Sequence, residues 1–276
     1  MVTGVMSAPL LVGMTLPTFT SDGSAPMESA LAAESAGLDG VFVFDHLWPL
    51  GNPGSPALWS FAVLGAVAGV TVRIALGPLV ARVGLLPAAD LQRAFDTVAA
   101  VAGPGRLIAA LGAGDHLSAA ENVAYGVGYA SAEERLAEVA SASDALRARG
   151  IRTWIGGRSR AAQQTAAAHA DAINVWGSPP ETVSRIAHDP LVMSCRVDVT
   201  WAGQVLIGRD QQDLHRLTER YGTRPNLVAG TVETVAATLG ELRSAGASWC
   251  VLAPLDYLHE PLRAVETVCL VAEAVR

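Results

Sequence analysis

The chain of 276 residues contains no lysine; all 19 of its basic side chains are arginine. Schiff-base chemistry, pyridoxal phosphate attachment and a phosphate-loop lysine each require an amine, so all three are excluded. Charge of any kind is scarce. Charged residues make up 16% of the chain, the net charge is −7, and no basic block occurs. Attraction to nucleic acid or to anionic lipid therefore has no source, and a small-molecule partner is expected. The three cysteines, Cys195, Cys250 and Cys269, are scattered and odd in number. They suggest neither a disulfide framework nor a thiolate metal cluster, which fits a reducing cytoplasm. No positive charge precedes Arg73, so the basic start of a signal peptide is missing. The uncharged run from Leu47 to Val72 is interrupted by Pro49, Pro53 and Pro56, and no transmembrane span is expected.

Apolar residues are abundant at 51%, enough for one sizeable core, and a single domain over residues 1–276 is expected. The apolar runs are short and alternate with helical patterns. Leu10 to Leu16 reads as a strand and Pro26 to Ala36 as its helix, stopped by Gly37. Val41-Phe42-Val43-Phe44 reads as a second strand running into Asp45, His46 and Trp48. Pro56 to Ala68 follows as a helix with Ser55 as its cap, and Thr71 to Leu76 as strand three. Pro87 to Ala102 carries Leu91, Phe95, Val98 and Val101 at helical spacing, and Arg106 to Leu111 is strand four. Ser131 to Arg149 opens on a capping box, Ser131 with Glu134, and Thr153 to Ile155 is strand five.

The same alternation continues to the end. Ser159 to His169 reads as a helix, Ala172 to Trp176 as strand six and Pro180 to His188 as a helix. A seventh strand is placed within Ser194 to Trp201, extended or replaced by Val205 to Gly208, before helix Gln211 to Tyr221. Helix Thr231 to Ala245, strand Ser248 to Leu252 and helix Pro261 to Val275 close the series. Eight strand–helix units at about 35 residues each predict an α/β fold of the (β/α)8 TIM-barrel type, with a doubly wound open sheet as the alternative.

A barrel gathers the strand C-termini on one rim. Asp45-His46, the Gly77 to Val80 turn, Gly112-Ala113-Gly114-Asp115, Gly156-Gly157-Arg158-Ser159 and Asn174 to Trp176 would then share one glycine-rich mouth. The Gly156-Gly157 turn opens a helix whose free amides and positive dipole end suit a phosphate. The third glycine of a dinucleotide fingerprint is missing after Gly112 and Gly114, which ranks a Rossmann site low. His116, His169, His188, His215 and His259 show no metal-ligand spacing, and no metal site is expected. Trp176 and Trp201, at strand ends, read as rim packing.

Taken in order, Gly40 to Trp48, Leu76 to Val80, Gly105-Arg106-Leu107 into Gly112 to Asp115, Glu121 to Gly126, and Trp154 to Asp171 resemble the bacterial luciferase-like monooxygenase superfamily. The branch resembled depends on the deazaflavin coenzyme F420. The resemblance implies a luciferase-like barrel with the coenzyme at the C-terminal mouth and His46 as proton donor or acceptor beside its ring. Asp45 would sit near the ring, and Leu79-Val80 matches the family's bulge with a non-proline cis peptide behind it. Gly112 and Gly114 match a turn beside the ring or its ribityl chain, while Gly156, Gly157, Arg158 and Ser159 match the phosphate end.

The resemblance further implies reversible hydride transfer to or from an alcohol, carbonyl or activated alkene, with Trp48 and Trp176 as the substrate-side candidates. Sugar-phosphate dehydrogenases of this branch hold substrate phosphate with lysines, and this chain has none. The competing reading is an FMN-dependent monooxygenase on the same barrel. A metal-dependent barrel hydrolase is disfavoured by the missing His-x-His on strand one, and a non-catalytic flavin-binding barrel is the third possibility. The superfamily commonly pairs, so a homodimer is expected, with helices Phe61 to Ala68 and Phe95 to Val101 supplying the face.

Overall fold

The computed structural model describes residues 9–276. Along the chain run β1 (Leu11–Thr15), α1 (Ser24–Ser35), β2 (Gly40–Val43), α2 (Ser60–Val70), β3 (Ala75–Pro78), β4 (Ala81–Arg82), α3 (Ala88–Ala102) and β5 (Ile108–Gly112). A 3-10 turn at His116–Ser118 leads into α4 (Ala119–Ala124), followed by α5 (Ala132–Arg147), β6 (Arg152–Gly156), α6 (Arg160–His169) and β7 (Ala172–Trp176). The last third holds α7 (Pro180–Ala187), α8 (Pro190–Cys195), β8 (Asp198–Gly208), α9 (Gln211–Tyr221), β9 (Val228–Thr231), α10 (Val232–Ser244), β10 (Ala247–Pro254) and α11 (Pro261–Val275).

The strands pair in parallel in the order β3-β2-β1-β10-β8-β7-β6-β5-β4, with β9 on the outer part of β8. β3 and β4 are two pieces of one strand separated by Leu79 and Val80. A bridge between Leu76 and Leu107 and the pairing of β4 with β5 bring the sheet round on itself. A TIM-type barrel results, and all strand C-termini open on one mouth.

Inside, Phe42, Trp154 and Trp249 fill the barrel, with ring centroids 5.3 Å apart for Phe42 and Trp154 and 5.6 Å for the two tryptophans. Glycine makes the room. A Cβ on Gly40 would come within 2.9 Å of the Trp249 ring, and one on Gly13 within 3.0 Å of Phe42. Outside, Val41, Val43, Leu64, Phe95, Ile155 and Val268 belong to the larger core between sheet and helices, as strand alternation requires.

Several boundaries differ from expectation for local reasons. α2 begins at Ser60 rather than Pro56, because Ser55 accepts from Asn52 Nδ2 at 2.7 Å and caps nothing, while Leu58 N–H bonds Thr18 O at 2.8 Å. The stretch before β3 is drawn off as a loop, since the Glu34 carboxylate accepts the amides of Val72, Arg73 and Ile74. β8 takes in both stretches considered for strand seven, and Pro190–Cys195 is helical under the Asp189 cap on Leu191 N. The capping box of Ser131 and Glu134 forms as expected. No described helix is long and apolar enough to cross a membrane.

Candidate active site

β2 ends at Val43, and the next three residues leave the sheet at the mouth. Asp45 turns sideways. Its carboxylate accepts Ser60 Oγ at 2.6 Å and Arg82 N at 3.0 Å, pinning the end of β2 to the start of α2 and to β4. Burial pushes its pKa up, against these hydrogen bonds and the neighbouring charges of His46 and Arg82. The structure thus gives Asp45 a bracing task within the rim.

His46 faces the other way, toward α4. Its Nδ1 lies 3.0 Å from Glu121 Oε2, and Leu47 N–H donates to Glu121 Oε1 at 2.8 Å. Glu121 is 1% exposed and also accepts Arg82 Nη1 at 2.7 Å. Burial alone would raise its pKa, but the His46 hydrogen bond and charge, the Leu47 amide and the Arg82 charge outweigh it and hold the carboxyl below its usual range. An ionised carboxylate can only accept. The proton between the two groups is therefore on His46 Nδ1, which leaves Nε2 for exchange with a ligand.

Arg82 is spent on structure. Nη1 also donates to Ser118 O at 2.9 Å, and Nη2 to Asn122 Oδ1 at 2.5 Å. Asn122 in turn donates to Gly128 O at 2.8 Å, so the loop around α4 is tied to the barrel through one guanidinium.

The Leu79–Val80 peptide bond is cis and interrupts the third barrel strand, as the resemblance implied. Leu79 N–H reaches back to Val43 O at 2.7 Å, and Val80 projects over its neighbours. A Cβ on Gly112 would lie 2.4 Å from Val80 Cγ2, and one on Gly156 3.1 Å from Val80 Cγ1. Gly114, at φ +69°, would put a Cβ 3.3 Å from Arg82 Cδ. These glycines thus make room for Val80 and Arg82, two side chains that spacing alone did not connect with them.

At the next rim position Gly157 packs on α6, where a Cβ would meet Ala162 Cβ at 2.4 Å. Ser159 Oγ caps α6 by accepting Ala162 N–H at 3.1 Å. Exposed Arg158 and Arg185 share a cleft of about 230 Å³ with Gln163, Ser178, Thr182 and Asn226. Neither arginine pairs with a carboxylate among the described residues. A larger cleft of about 570 Å³ lies between α3 and α5, lined by Leu85, Leu91 and Ala142, and touches none of these groups.

Aromatic rings form the remaining wall. Phe19 stacks on Phe44 at 5.6 Å, Trp176 meets Phe44 edge-on at 5.8 Å, and Phe19 lies 6.5 Å from the His46 ring. Trp48 is half-buried in the loop before α2. Trp201 is buried, its indole N–H on Ser178 O at 2.8 Å.

The sequence profile of the luciferase-like monooxygenase family matches residues 12–150. The chain belongs to that family. A curated F420-dependent glucose-6-phosphate dehydrogenase of Nakamurella multipartita is 36% identical to this luciferase-like chain over 112 residues, 40% of this chain. The match spans about a third of that relative's length, 32%. Among solved structures, an F420-dependent secondary alcohol dehydrogenase bound to an F420–acetone adduct superposes with a TM-score of 0.79 at 15% identity, over 97% of this chain and 99% of the other. The EDTA monooxygenase of Chelativorans sp. BNC1 gives 0.79 at 13% identity, over 96% and 94%. At such identities the likeness establishes the luciferase-like fold.

Sequence reasoning placed His46 just past the end of the second strand and the bulge at Leu79-Val80, where the structure has them, but gave no role to Glu121, Arg82, Phe19 or Phe44. Glu121 lies 75 positions from His46, in a six-residue helix too short to show a period. The signals available were a carboxylate and an amide side by side, Glu121-Asn122, in a segment otherwise apolar, and the place of Glu121 to Gly126 within the family resemblance.

Proposed function

We propose that this luciferase-like chain is an oxidoreductase that uses coenzyme F420 and passes a hydride between the deazaflavin and a small organic substrate. The observation that carries the reading is the bond from His46 Nδ1 to ionised Glu121, because it leaves Nε2 free for exchange at the end of β2, where the Phe19 ring lies 6.5 Å from the imidazole. A neutral imidazole so held accepts a proton from an alcohol; protonated, it donates one to an oxygen that has gained electrons.

The residues present fit the coenzyme. Thr15, on the inward face of β1, has a buried hydroxyl without a partner among the described residues, suited to the polar edge of a tricyclic ring. Val80 would supply an apolar surface to that ring. Arg158, Arg185 and the first turn of α6 would hold an anionic tail. When bound, the reduced deazaflavin supplies a hydride and does not readily activate oxygen. His46 moves the proton at Nε2, Glu121 and Arg82 orient it, and the aromatic wall keeps water away. The curated relatives carry F420 dependence in their names, in agreement with this choice.

We further infer that two copies pair through α2 and α3. Phe61 and Phe95 pack on each other, with centroids 5.1 Å apart, so the outer faces present Ala62, Ala66, Val70 and Val101, all exposed and uncharged. Light scattering is expected to give a dimer mass, and Ala66→Glu to give the monomer.

Parallel fluorescence titrations of apo-protein with coenzyme F420 and with FMN test the function. Tighter binding of F420 supports it; tighter binding of FMN transfers the site to an oxygen-using flavoenzyme.

A further inference from the structure

The charges around His46 are all spoken for. Arg82, the cation nearest that imidazole's partner, is 5% exposed and has both terminal nitrogens engaged by Ser118, Glu121 and Asn122. Two carboxylates, Asp45 and Glu121, stand against that single guanidinium, and the chain holds no lysine. Arg158 and Arg185 face the separate cleft beyond β7. An anionic ligand brought to His46 would find no unpaired cation among the groups bonded to His46, Asp45 or Glu121, and its lost hydration would go uncompensated there. What the wall does present is three half-exposed rings, Phe19 flat on Phe44 at an interplanar angle of 4° and Trp176 edge-on. Stacked and edge-on rings of this kind favour a flat apolar ligand.

We propose that the substrate at this mouth is an uncharged, apolar ketone or enone, or the matching alcohol, held against Phe19, Phe44 and Trp176, and not a phosphorylated sugar. The proposal rests on the F420 reading above. In the reducing direction the carbonyl carbon gains a hydride from the reduced coenzyme. The C=O π pair moves to oxygen, and the Nε2 proton of protonated His46 completes the alcohol. Two electrons leave the coenzyme and two enter the substrate.

The test uses the full chain, with and without F420, and reads tryptophan quenching on addition of cyclohexanone, cyclohexenone or glucose 6-phosphate. Cyclohexanone or cyclohexenone is expected to bind at least about ten-fold more tightly than the sugar phosphate. Phe19→Leu should weaken the ketone about two- to ten-fold, the range of an aromatic contact. Phe44→Leu should do the same, and circular dichroism confirms that both variants fold. Equal or tighter binding of glucose 6-phosphate, or ketone affinity untouched in both variants, overturns the proposal. Because quenching is read without coenzyme too, a protein that selects ketones yet takes no F420 would overturn the function and uphold the ligand class.

Discussion

His46 Nδ1 stands 3.0 Å from Glu121 Oε2, and that contact joins the end of β2 to α4 across 75 positions of chain. Its chemical consequence is a fixed tautomer. His46→Ala is expected to leave coenzyme affinity within a few-fold while turnover falls by about 100-fold or more, the usual reach of a positioned acid–base group. Glu121→Gln keeps an acceptor but removes the charge, so turnover should fall less and its pH profile should move. Unchanged turnover in His46→Ala would remove the proton-transfer role; an unmoved profile in Glu121→Gln would remove the orienting one.

Val80 reaches its place over the mouth because Gly112 has no side chain there. A Cβ at Gly112 would lie 2.4 Å from Val80 Cγ2, close enough to push the valine or the bulge aside. Gly112→Ala is therefore expected to weaken coenzyme binding about ten-fold or more while the far-ultraviolet circular dichroism stays native. Pairing it with Val80→Ala should restore part of the affinity. If the double variant binds no better than the single one, the clash is not the cause.

Arg158 and Arg185 flank one cleft and pair with no carboxylate among the described residues, so an anionic tail would find two cations unspent. Arg158→Gln and Arg185→Gln are each expected to raise the Kd for F420, and to flatten its rise with salt, since surface charge attraction is screened over about 10 Å at 0.1 M. Binding of a tail-free deazaflavin should be indifferent to both. Equal losses for the two ligands would place the tail elsewhere.

The parts of the fold legible in the chain were those that local chemistry decides. The Ser131–Glu134 capping box, the helix after Ser159 and the β2 run into Asp45-His46 each need only neighbours in sequence. α2 and β3 slipped because distant groups moved their boundaries: Glu34 binds three amides ahead of β3, and Asp45 binds Ser60 at the start of α2. The same division runs through the site. His46 could be found from its place at a strand end, whereas Glu121 and Arg82 matter only through contacts 75 and 39 positions away along the chain. Gly112 and Gly156 stood out as rim glycines, but the residue they accommodate is visible only once β3, β5 and β6 stand side by side.

Arg263 on α11 carries the last prediction. It pairs with Asp256 at 2.5 Å and with Asp213 on α9, and is 8% exposed. Burial works against ionisation of Asp213, yet the Arg209 amide and the Arg216 and Arg263 guanidiniums hold its carboxyl far below the usual range. Asp256 is instead pushed up by burial, against the pull of Arg263. A lowered carboxyl stabilises the fold above its unfolded pKa, and that stability drains as pH falls below about 4. Glu121, also lowered, should add to the same acid loss. Arg263→Met strands buried Asp256 and is expected to cost about 3 kcal/mol at pH 7. The deficit should narrow toward pH 4, because the stranded Asp256, already pushed up by burial, can then take a proton, whereas Asp213 stays ionised there. Urea midpoints of wild type and variant at pH 7, 5 and 4 measure this directly, and parallel curves would rule out protonation of Asp256 as the source of the narrowing.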